Sequence, residues 1–389
     1  MNRVWIHSYG CTSAAGPATS DFWQSLTAGT DHSEVLNAEN WPAQPQSPVR
    51  ACLWKVEGLP PTTARAALLV QMKRALREAL DGLDASARQR ILVSEKLGVI
   101  LASTKSFVDD YVWSPEWRAE ENSQENSKDA FAPLLSDFLS QSGLAAARSL
   151  TVSNACASAL SALFLAKQWL RTGEFEDVLV ISVDRIGPFV ANGFDRLRAL
   201  TTDRVRPFSA DRNGLQLGEA AAAIILSSQA GPVELEGVGI DAEGFAVTRP
   251  SQAGDSLKRA CLKLKDLRSR PPELIIAHGT ATRINDSIED QVFREVFAET
   301  GSSPAITGTK WCIGHTLGAS GAMDVIAACE VIKRQQWFRI GNTPEVDPEF
   351  KGRYLTSLSD LGPKALRRVM VTSLGFGGIH AATILGVSS

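Results

Sequence analysis

Short apolar runs rich in β-branched residues alternate along this chain with longer stretches whose apolar residues recur at three- and four-residue spacing. The short runs have the length and composition of buried strands, and the longer stretches have the period of amphipathic helices. This alternation is typical of layered α/β folds and not of a helical bundle or an all-β sandwich. The pattern therefore predicts sheets that are covered on their faces by helices.

The predicted strands form two series that meet near residues 229–232. The first series covers residues 4–9, 97–102, 149–153, 178–183 and 220–226. The second series covers residues 233–240, 274–277, 305–308, 369–372 and 381–385. The clearest helices are predicted over residues 63–81, 157–171, 256–267 and 319–333. The two series predict two similar halves, residues 1–230 and residues 231–389.

A polar and acidic segment interrupts the first half between Lys105 and Leu144, and it contains Trp113 and Trp117. We interpret residues 105–144 as an inserted surface excursion, either a helical flap or part of a subunit contact. A solvated loop around two packed tryptophans is the alternative. Residues 41–48, which are rich in proline, are predicted to form an exposed connection.

The bulk composition restricts the classes of partner. With 389 residues, 44% of them hydrophobic, the chain can bury a large core. The formal net charge of −3 provides no bulk attraction to nucleic acid or to an anionic membrane. The first residues lack the apolar core of a signal peptide, and no apolar run approaches the roughly 20 residues of a membrane span. We therefore expect a cytoplasmic protein with no nucleic-acid partner and no membrane span.

The six cysteines show no CxxC spacing, so neither a disulfide framework nor a structural zinc site is predicted. Cys312 lies near Lys310 and His315 in the sequence, but no ligand spacing supports a Cys/His metal or redox cluster there. The sequence therefore predicts no metal site. Most of the cysteines are expected to be small buried residues.

Cys156 lies in the run Asn-Ala-Cys-Ala-Ser, where the predicted strand 149–153 passes into the predicted helix 157–171. A helix start presents unpaired backbone N–H groups and the positive end of the helix dipole. Both features stabilise a thiolate or the oxyanion of a bound thioester. Many cysteines at such positions are simply buried, so the run by itself leaves a catalytic and a structural interpretation open.

Two of the five histidines, His278 and His315, lie in motifs with glycine and threonine. His278 follows the apolar run 274–277, and His315 precedes Leu-Gly-Ala-Ser-Gly. Two imidazoles are what carbon–carbon condensation on a cysteine requires. Taken alone, His278 fits a strand-end residue equally well, and the glycine-rich turn after His315 fits a phosphate cradle or tight packing. The remaining histidines are assigned structural roles: His7, His32 and His380.

Taken in order, these motifs resemble those of the β-ketoacyl synthases, the condensing enzymes of fatty acid and polyketide synthesis. The resemblance runs from Val4 to Leu385. The matching residues are the run around Cys156, Arg206 to Gly214 with Gly218 and Glu219, His278 to Thr282 with Asn285, Asp286 and Glu289, Thr309 and Lys310 ahead of His315, and Ser373 to Gly378.

The resemblance implies a thiolase-like five-layer fold, α-β-α-β-α, which is built from two similar halves with the site at their junction. It also implies a homodimer, with a heterodimer that includes a ketosynthase-like subunit as the alternative. The substrates implied are phosphopantetheine thioesters carried on acyl carrier protein, with no permanently bound cofactor. Their condensation would extend a fatty acid, an aryl polyene or a polyketide.

The resemblance also implies roles for particular residues. Cys156 would be the acylated nucleophile, and its own N–H would share the oxyanion with the N–H of Phe376. His278 and His315 would hold the malonyl thioester carbonyl and stabilise the enolate that forms as carbon dioxide leaves. The ring of Phe376 would act as a gate between the two half-reactions.

A second group of residues would support these. Lys310 would hold a charge network behind the histidines and pair with Glu289. Thr280 and Thr282 would bind the pantetheine arm. The other residues implied are Gly375 and Gly377 at the substrate and Asp324 in the charge network.

The chain departs from the family pattern at a few positions. Asp324 stands nine residues after His315, where the family commonly has glutamate, and Ile379 and His380 stand where it commonly has Thr-Asn. Leu374 replaces a common phenylalanine. These changes suggest a specialised acyl substrate, and an aryl-polyene or other secondary-lipid pathway is one setting.

Two other roles on the same fold are to be weighed. A non-catalytic chain-length factor partners a true synthase and typically lacks the cysteine, whereas this chain has Cys156, His278 and His315. A thiolase is expected to have a second cysteine near the C-terminus, and the sequence after Cys329 contains none. The motifs therefore favour a condensing enzyme, with a partner subunit without turnover as the alternative.

Overall fold

A computed structural model describes residues 3–36, 49–55, 63–112, 129–246, 251–357 and 365–387. The strands are β1 (Trp5–Ser13), β2 (Glu34–Val35), β3 (Arg50–Cys52), β4 (Leu97–Ala102), β5 (Arg148–Val152), β6 (Asp177–Asp184), β7 (Leu217–Gly218), β8 (Ala220–Ser227), β9 (Val233–Ala242), β10 (Leu274–Ile276), β11 (Ala305–Thr307), β12 (Arg353–Tyr354), β13 (Arg368–Leu374) and β14 (Ile379–Gly386). The helices are α1 (Thr19–Ala28), α2 (Ala64–Asp81), α3 (Ala85–Val93), α4 (Val108–Val112), α5 (Ala132–Ser142), α6 (Ser158–Thr172), α7 (Pro188–Arg196), α8 (Asp255–Leu262), α9 (Arg283–Phe297), α10 (Lys310–Ile313) and α11 (Ser320–Arg334).

The chain folds as a duplicated unit. Eleven strands form one sheet in the order β12-β11-β10-β13-β14-β9-β1-β8-β6-β4-β5. The two halves, β1-β8-β6-β4-β5 and β9-β14-β13-β10-β11, repeat the same order and the same pattern of parallel and antiparallel pairs. In the sheet they are joined where β1 pairs with β9, at Trp5 with Glu234 and Ile6 with Val233. Each half can therefore place equivalent loops at the junction.

Helices cover both faces of each half-sheet. Between the half-sheets lie α6, which contacts β4, β6 and β9, and α11, which contacts β8 and β13. The outer layers are α2 against β1 and β8, and α8 against β9 and β14 with α9 packed on α8. In α11 every residue from Ser320 to Ile332 is buried, as expected of a helix that is enclosed on all sides. The layers follow the predicted order α-β-α-β-α.

Each strand of both predicted series is present. The strand predicted over 97–102 coincides with β4, and the others have shifted ends. The periodic stretch 256–267 overestimates the helix, because α8 ends at Leu262 and residues 263–267 form turns. The sequence did not predict α9, whose mixture of charged and apolar residues obscures its buried face. The short strands β2, β3, β7 and β12 were also missed, because two or three residues carry no detectable period.

The prediction of a surface excursion over 105–144 was wrong for the ends of that segment. Lys105 and Asp109 are buried after β4, and α5 places Leu134, Leu135 and Phe138 in the core beside α2. Polar neighbours in the sequence hid this apolar face of α5. Trp113, Trp117 and the proline-rich connection 41–48 lie outside the described residues. Within the described ranges, no helix has both the length and the apolar character to cross a membrane.

Candidate active site

The turn between β5 and α6 holds Cys156 in a constrained backbone. Ala155 has a φ of +47°, in the left-handed region that costs a residue with a Cβ about 1 kcal/mol or more. Three hydrogen bonds hold the turn: Asn154 N donates to Ser158 Oγ at 2.9 Å, Ser158 Oγ donates to the Ala155 carbonyl at 2.6 Å, and Ser373 Oγ donates to the Cys156 carbonyl at 2.7 Å. The strained turn therefore presents the thiol at the N-terminal end of α6.

The structure brings Cys156, His278 and His315 together from three distant parts of the chain. His315 Nε2 lies 3.0 Å from Cys156 Sγ, and the two imidazole rings are edge to face with centroids 5.0 Å apart. One donor atom from each of the three side chains lies within 4.8 Å of the others. All three residues are at least 96% buried, since their exposed fractions are 4%, 1% and 2%.

The hydrogen bonding of His315 determines which ring nitrogen carries the proton. The backbone N–H of Leu317 donates to Nδ1 at 3.1 Å, so Nδ1 is an acceptor and the proton of the neutral ring is on Nε2. Burial and the charge of Lys310 lower the pKa of His315 to about 3, and they also lower the pKa of His278. Both imidazoles are therefore neutral at physiological pH. His315 directs an N–H donor at the sulfur.

The thiol of Cys156 is protonated at rest. Burial raises its pKa to about 11, although the backbone N–H groups of Phe376 and of Cys156 itself, together with Lys310, act to lower that pKa. Asp184 raises the pKa further. The helix N–H groups lower the thiol pKa, but desolvation outweighs them at this position.

The distances alone would allow Cys156, His278 and His315 to bind a metal ion, and a Cys/His donor set is one that zinc prefers. Ligation through Nε2 of neutral His315 would require the ring proton to be on Nδ1. The N–H of Leu317 already donates to Nδ1, so two donors would then face each other. The hydrogen bonding of this cluster therefore does not fit a metal site.

Lys310 pairs with a different residue from the one predicted. Its Nζ lies 2.9 Å from Asp324 Oδ2, with exposed side-chain fractions of 2% and 0%, and Thr309 Oγ1 donates to Asp324 Oδ1. The predicted ion pair between Lys310 and Glu289 was wrong. The reason is geometric, since Asp324 in the first turns of α11 faces α10, where Lys310 lies. The aspartate that departs from the family pattern is thus part of a buried ion pair.

Glu289 instead fixes the backbone that presents His278. From α9 its carboxylate accepts the N–H groups of His278 and Gly279, each at 2.8 Å, and the hydroxyl of Thr372 at 2.7 Å. In the turn that follows, Thr280 Oγ1 lies 3.1 Å from Thr282 Oγ1 and accepts from Asn285 Nδ2 at 3.2 Å. The two threonines therefore lie beside His278, one buried and one half-buried.

The segment between β13 and β14 approaches Cys156 through its backbone. A Cβ on Gly375 would lie 2.8 Å from the Ile379 carbonyl oxygen and 3.1 Å from that of Asn154, so glycine is needed for this approach. Gly377 has a φ of +85° and is exposed. The close approach allows the N–H of Phe376 to reach the thiol.

Two residues at the site were missed from the sequence. Phe194 on α7 stacks on Phe376 with ring centroids 5.2 Å apart, and Asp184 at the end of β6 is completely buried near Cys156. An aromatic residue in a short helix carries no local signal of a site. An aspartate that ends an apolar strand could have been noticed, because a buried carboxylate needs donors nearby.

Two family descriptions match most of the chain. The N-terminal domain of β-ketoacyl synthases matches residues 1–230, and the C-terminal domain of β-ketoacyl synthases matches residues 233–343. The chain belongs to the β-ketoacyl synthase family. The suspected family resemblance is thereby confirmed.

The chain is also similar in sequence to individual members of the family. Nodulation protein E of Rhizobium sp. (strain N33) is 33% identical in an alignment 210 positions long, which covers 51% of this chain and 52% of the relative. The chain thus spans about half the length of that relative. A putative polyketide β-ketoacyl synthase of Streptomyces halstedii is 26% identical in an alignment 416 positions long, which covers 98% of this chain and 97% of the relative.

A solved structure supports the fold of this family member. A ketosynthase in complex with its chain length factor from Xenorhabdus doucetiae superposes with a TM-score of 0.80 at 24% identity, covering 100% of this chain and 98% of that chain. At this identity the similarity is one of fold. It confirms the predicted thiolase-like fold.

Gly375→Ala tests the close approach of the backbone in this family member. We expect the added Cβ to move the N–H of Phe376 away from the sulfur and to slow acylation of Cys156 by a small-molecule thioester about 100-fold, the typical cost of one oxyanion donor. Intact mass against time measures this rate. The matched control is Gly193→Ala on α7, where a Cβ meets nothing within 4 Å. Equal rates for the two variants would contradict the role of Gly375.

The thiol pKa predicts the alkylation profile of Cys156. Since the pKa is about 11, the rate of iodoacetamide labelling should rise about tenfold per pH unit from pH 7 to pH 10 without a plateau, because only the thiolate reacts. Lys310→Met should slow labelling at each pH, because the lysine charge lowers the thiol pKa. Cys156→Ser identifies labelling at other cysteines. A plateau near pH 8 would show that burial does not control this thiol.

Proposed function

We propose that this chain is a β-ketoacyl synthase, an acyltransferase that joins an acyl thioester to malonyl-acyl carrier protein with loss of carbon dioxide. The observation that carries the proposal is the cluster of one thiol and two neutral imidazoles, with the thiol 3.0 Å from His315 Nε2. Two backbone N–H groups at the sulfur add an oxyanion site. This combination suits a covalent acyl intermediate followed by carbanion attack.

In the first half-reaction, Cys156 takes the acyl group. Its sulfur attacks the thioester carbonyl, the N–H groups of Cys156 and Phe376 hold the developing oxyanion, and the sulfur–carbon bond of the donor breaks. The proton of Cys156 leaves with the departing pantetheine thiol, so the products are acyl-cysteine and a free thiol. No net charge remains in the buried site after this step.

In the second half-reaction, the two imidazoles act on the malonyl thioester. The Nε2–H of His315 donates to the thioester oxygen beside His278 while the bond to the carboxylate breaks and carbon dioxide leaves. The resulting enolate carbon attacks the acyl-cysteine carbonyl and the sulfur of Cys156 leaves as a thiolate. It then takes up one proton from solvent, because the overall condensation consumes one proton. Neutral imidazoles suit this step, because each can donate a hydrogen bond to the oxygen while the ring itself carries no charge.

Other residues support these steps in the proposal. Burial and the positive charge of Lys310, which pairs with Asp324, keep both imidazoles neutral by lowering their pKa, and Glu289 holds the backbone of His278. By family resemblance, Thr280 and Thr282 bind the phosphopantetheine arm. In the proposal, Gly375 and Gly377 bind the substrate on the acyl side of the site. The ring of Phe376, which stacks on Phe194, acts as the gate.

The proposed carriers and partners follow the same reasoning. The acyl and malonyl groups arrive on acyl carrier protein, and no permanent cofactor takes part. A second subunit, either another copy or a ketosynthase-like chain, fits the open edge of the sheet. There β5 is the last strand, and only Val152 among its residues is buried. An exposed edge strand of this kind can pair with a partner strand.

The departures from the family pattern support a specialised acyl group, with an aryl-polyene or polyketide chain as one candidate. The competing role is a chain-length-determining partner without turnover. The two roles differ in their dependence on Cys156, because a partner subunit would support the same pathway output without that thiol.

The proposal is tested by intact-mass analysis of the protein with a panel of acyl carriers and malonyl carrier. We expect one acyl mass on Cys156, a carrier product extended by the malonyl unit less carbon dioxide, and no condensation by Cys156→Ala. His278→Ala and His315→Ala should lose decarboxylation more than acylation. Cys261→Ala, a buried cysteine on α8, is the matched control. Full condensation activity in Cys156→Ala would refute the proposed enzymatic function.

A further inference from the structure

Asp184 is a buried acidic residue that acts on the pKa of Cys156, and the proposed mechanism does not use it. It ends β6 with no exposed surface. Its carboxylate accepts Ser103 Oγ at 2.8 Å, Thr104 N at 2.7 Å, Lys105 N at 3.4 Å and Gly318 N at 2.7 Å. Four donors around one carboxylate hold it in a single position.

One of these donors comes from the turn that controls the His315 ring. Leu317 N donates to His315 Nδ1 at 3.1 Å, and the next N–H along the chain, that of Gly318, donates to Asp184 Oδ2 at 2.7 Å. Leu317 has a φ of +53°, a strained conformation that needs fixed neighbours. A Cβ on Gly318 would lie 2.7 Å from Asp184 Oδ2 and 2.6 Å from Thr104 N, so this turn is pressed against the carboxylate.

The same carboxylate also anchors the loop that leads to the gate. In this loop Lys105 Nζ pairs with Asp109, whose Oδ1 accepts Phe189 N at 3.0 Å in the first turn of α7. The helix α7 carries Phe194, on which Phe376 stacks. The carboxylate of Asp184 thus lies between the imidazole side and the acyl side of the site.

We propose that Asp184 is a positioning residue that holds the turn Thr316–Ala319 and thereby keeps His315 with its Nε2–H directed at the reacting oxygen. The inference rests on the proposed function and deepens it. Without the carboxylate, the Leu317 N–H no longer has a fixed direction toward Nδ1, and the ring is free to rotate or to exchange its tautomer. Decarboxylation depends on that donor, whereas acylation depends mainly on the N–H groups of Cys156 and Phe376.

The test compares Asp184→Asn with Asp177→Asn. Asp177 lies at the other end of β6, is equally buried, and accepts a hydrogen bond from Arg90 Nε at 2.7 Å. Asp177→Asn therefore removes a comparable buried carboxylate away from the site. We expect Asp184→Asn to reduce malonyl decarboxylation about 10- to 100-fold and acylation of Cys156 much less, as a displaced catalytic group does. Asp177→Asn should leave the ratio of the two rates unchanged. An unchanged ratio in folded Asp184→Asn overturns the inference.

A second variant and a second readout keep the test decisive. Gly318→Ala disturbs the same contact while it retains the carboxylate, and should also lower decarboxylation more than acylation, so it replaces Asp184→Asn if that variant does not fold. Iodoacetamide labelling does not require synthase activity. Gly318→Ala keeps the charge of Asp184, so the loss of a directed Nε2–H beside Cys156 Sγ should slow labelling of the thiol at each pH, and Gly193→Ala should not. Labelling of Gly318→Ala at the wild-type rate overturns the inference even if the wild-type protein condenses nothing.

Discussion

The burial of one thiol and two imidazoles at the junction of the halves is the constraint on which the site depends. Low dielectric surroundings disfavour every charged form, so burial raises the pKa of Cys156 and lowers those of His278 and His315. The reacting groups are therefore all neutral at rest. The permanent charges lie behind them and are held by dense hydrogen bonding, as in the Lys310 and Asp324 pair.

The duplicated topology explains how residues so distant in sequence meet. Within each half, the parallel strands end on the same side of the sheet. The antiparallel pairing of β1 with β9 places the two halves next to each other in one sheet. The first half contributes Cys156 at the start of α6, and the second contributes the turns after β10 and α10. Backbone contact at Gly375 then closes the site, because a side chain there would separate the two halves.

The strands and the central helices were predictable because they are long and strongly periodic, as α11 illustrates. The nucleophile and the two histidines were predictable because their motifs combine unusual residue types with glycine. Three features were not predictable: the pairing of Lys310 with Asp324, the buried face of α5, and the contacts of Asp184. Each depends on which helices, strands and turns pack together, and this packing cannot be inferred from the local sequence.

By itself, the sequence determined the layered α/β class, the division into two series of strands and the identity of the chemical groups, since these follow from hydrophobic period and residue type. Only the tertiary structure decided the ionisation of those groups. A helix start favours a thiolate in isolation, but burial reverses that preference for Cys156. The tautomer of His315 is likewise set by one N–H of a folded turn, because a ring has no preferred proton position until its neighbours are placed.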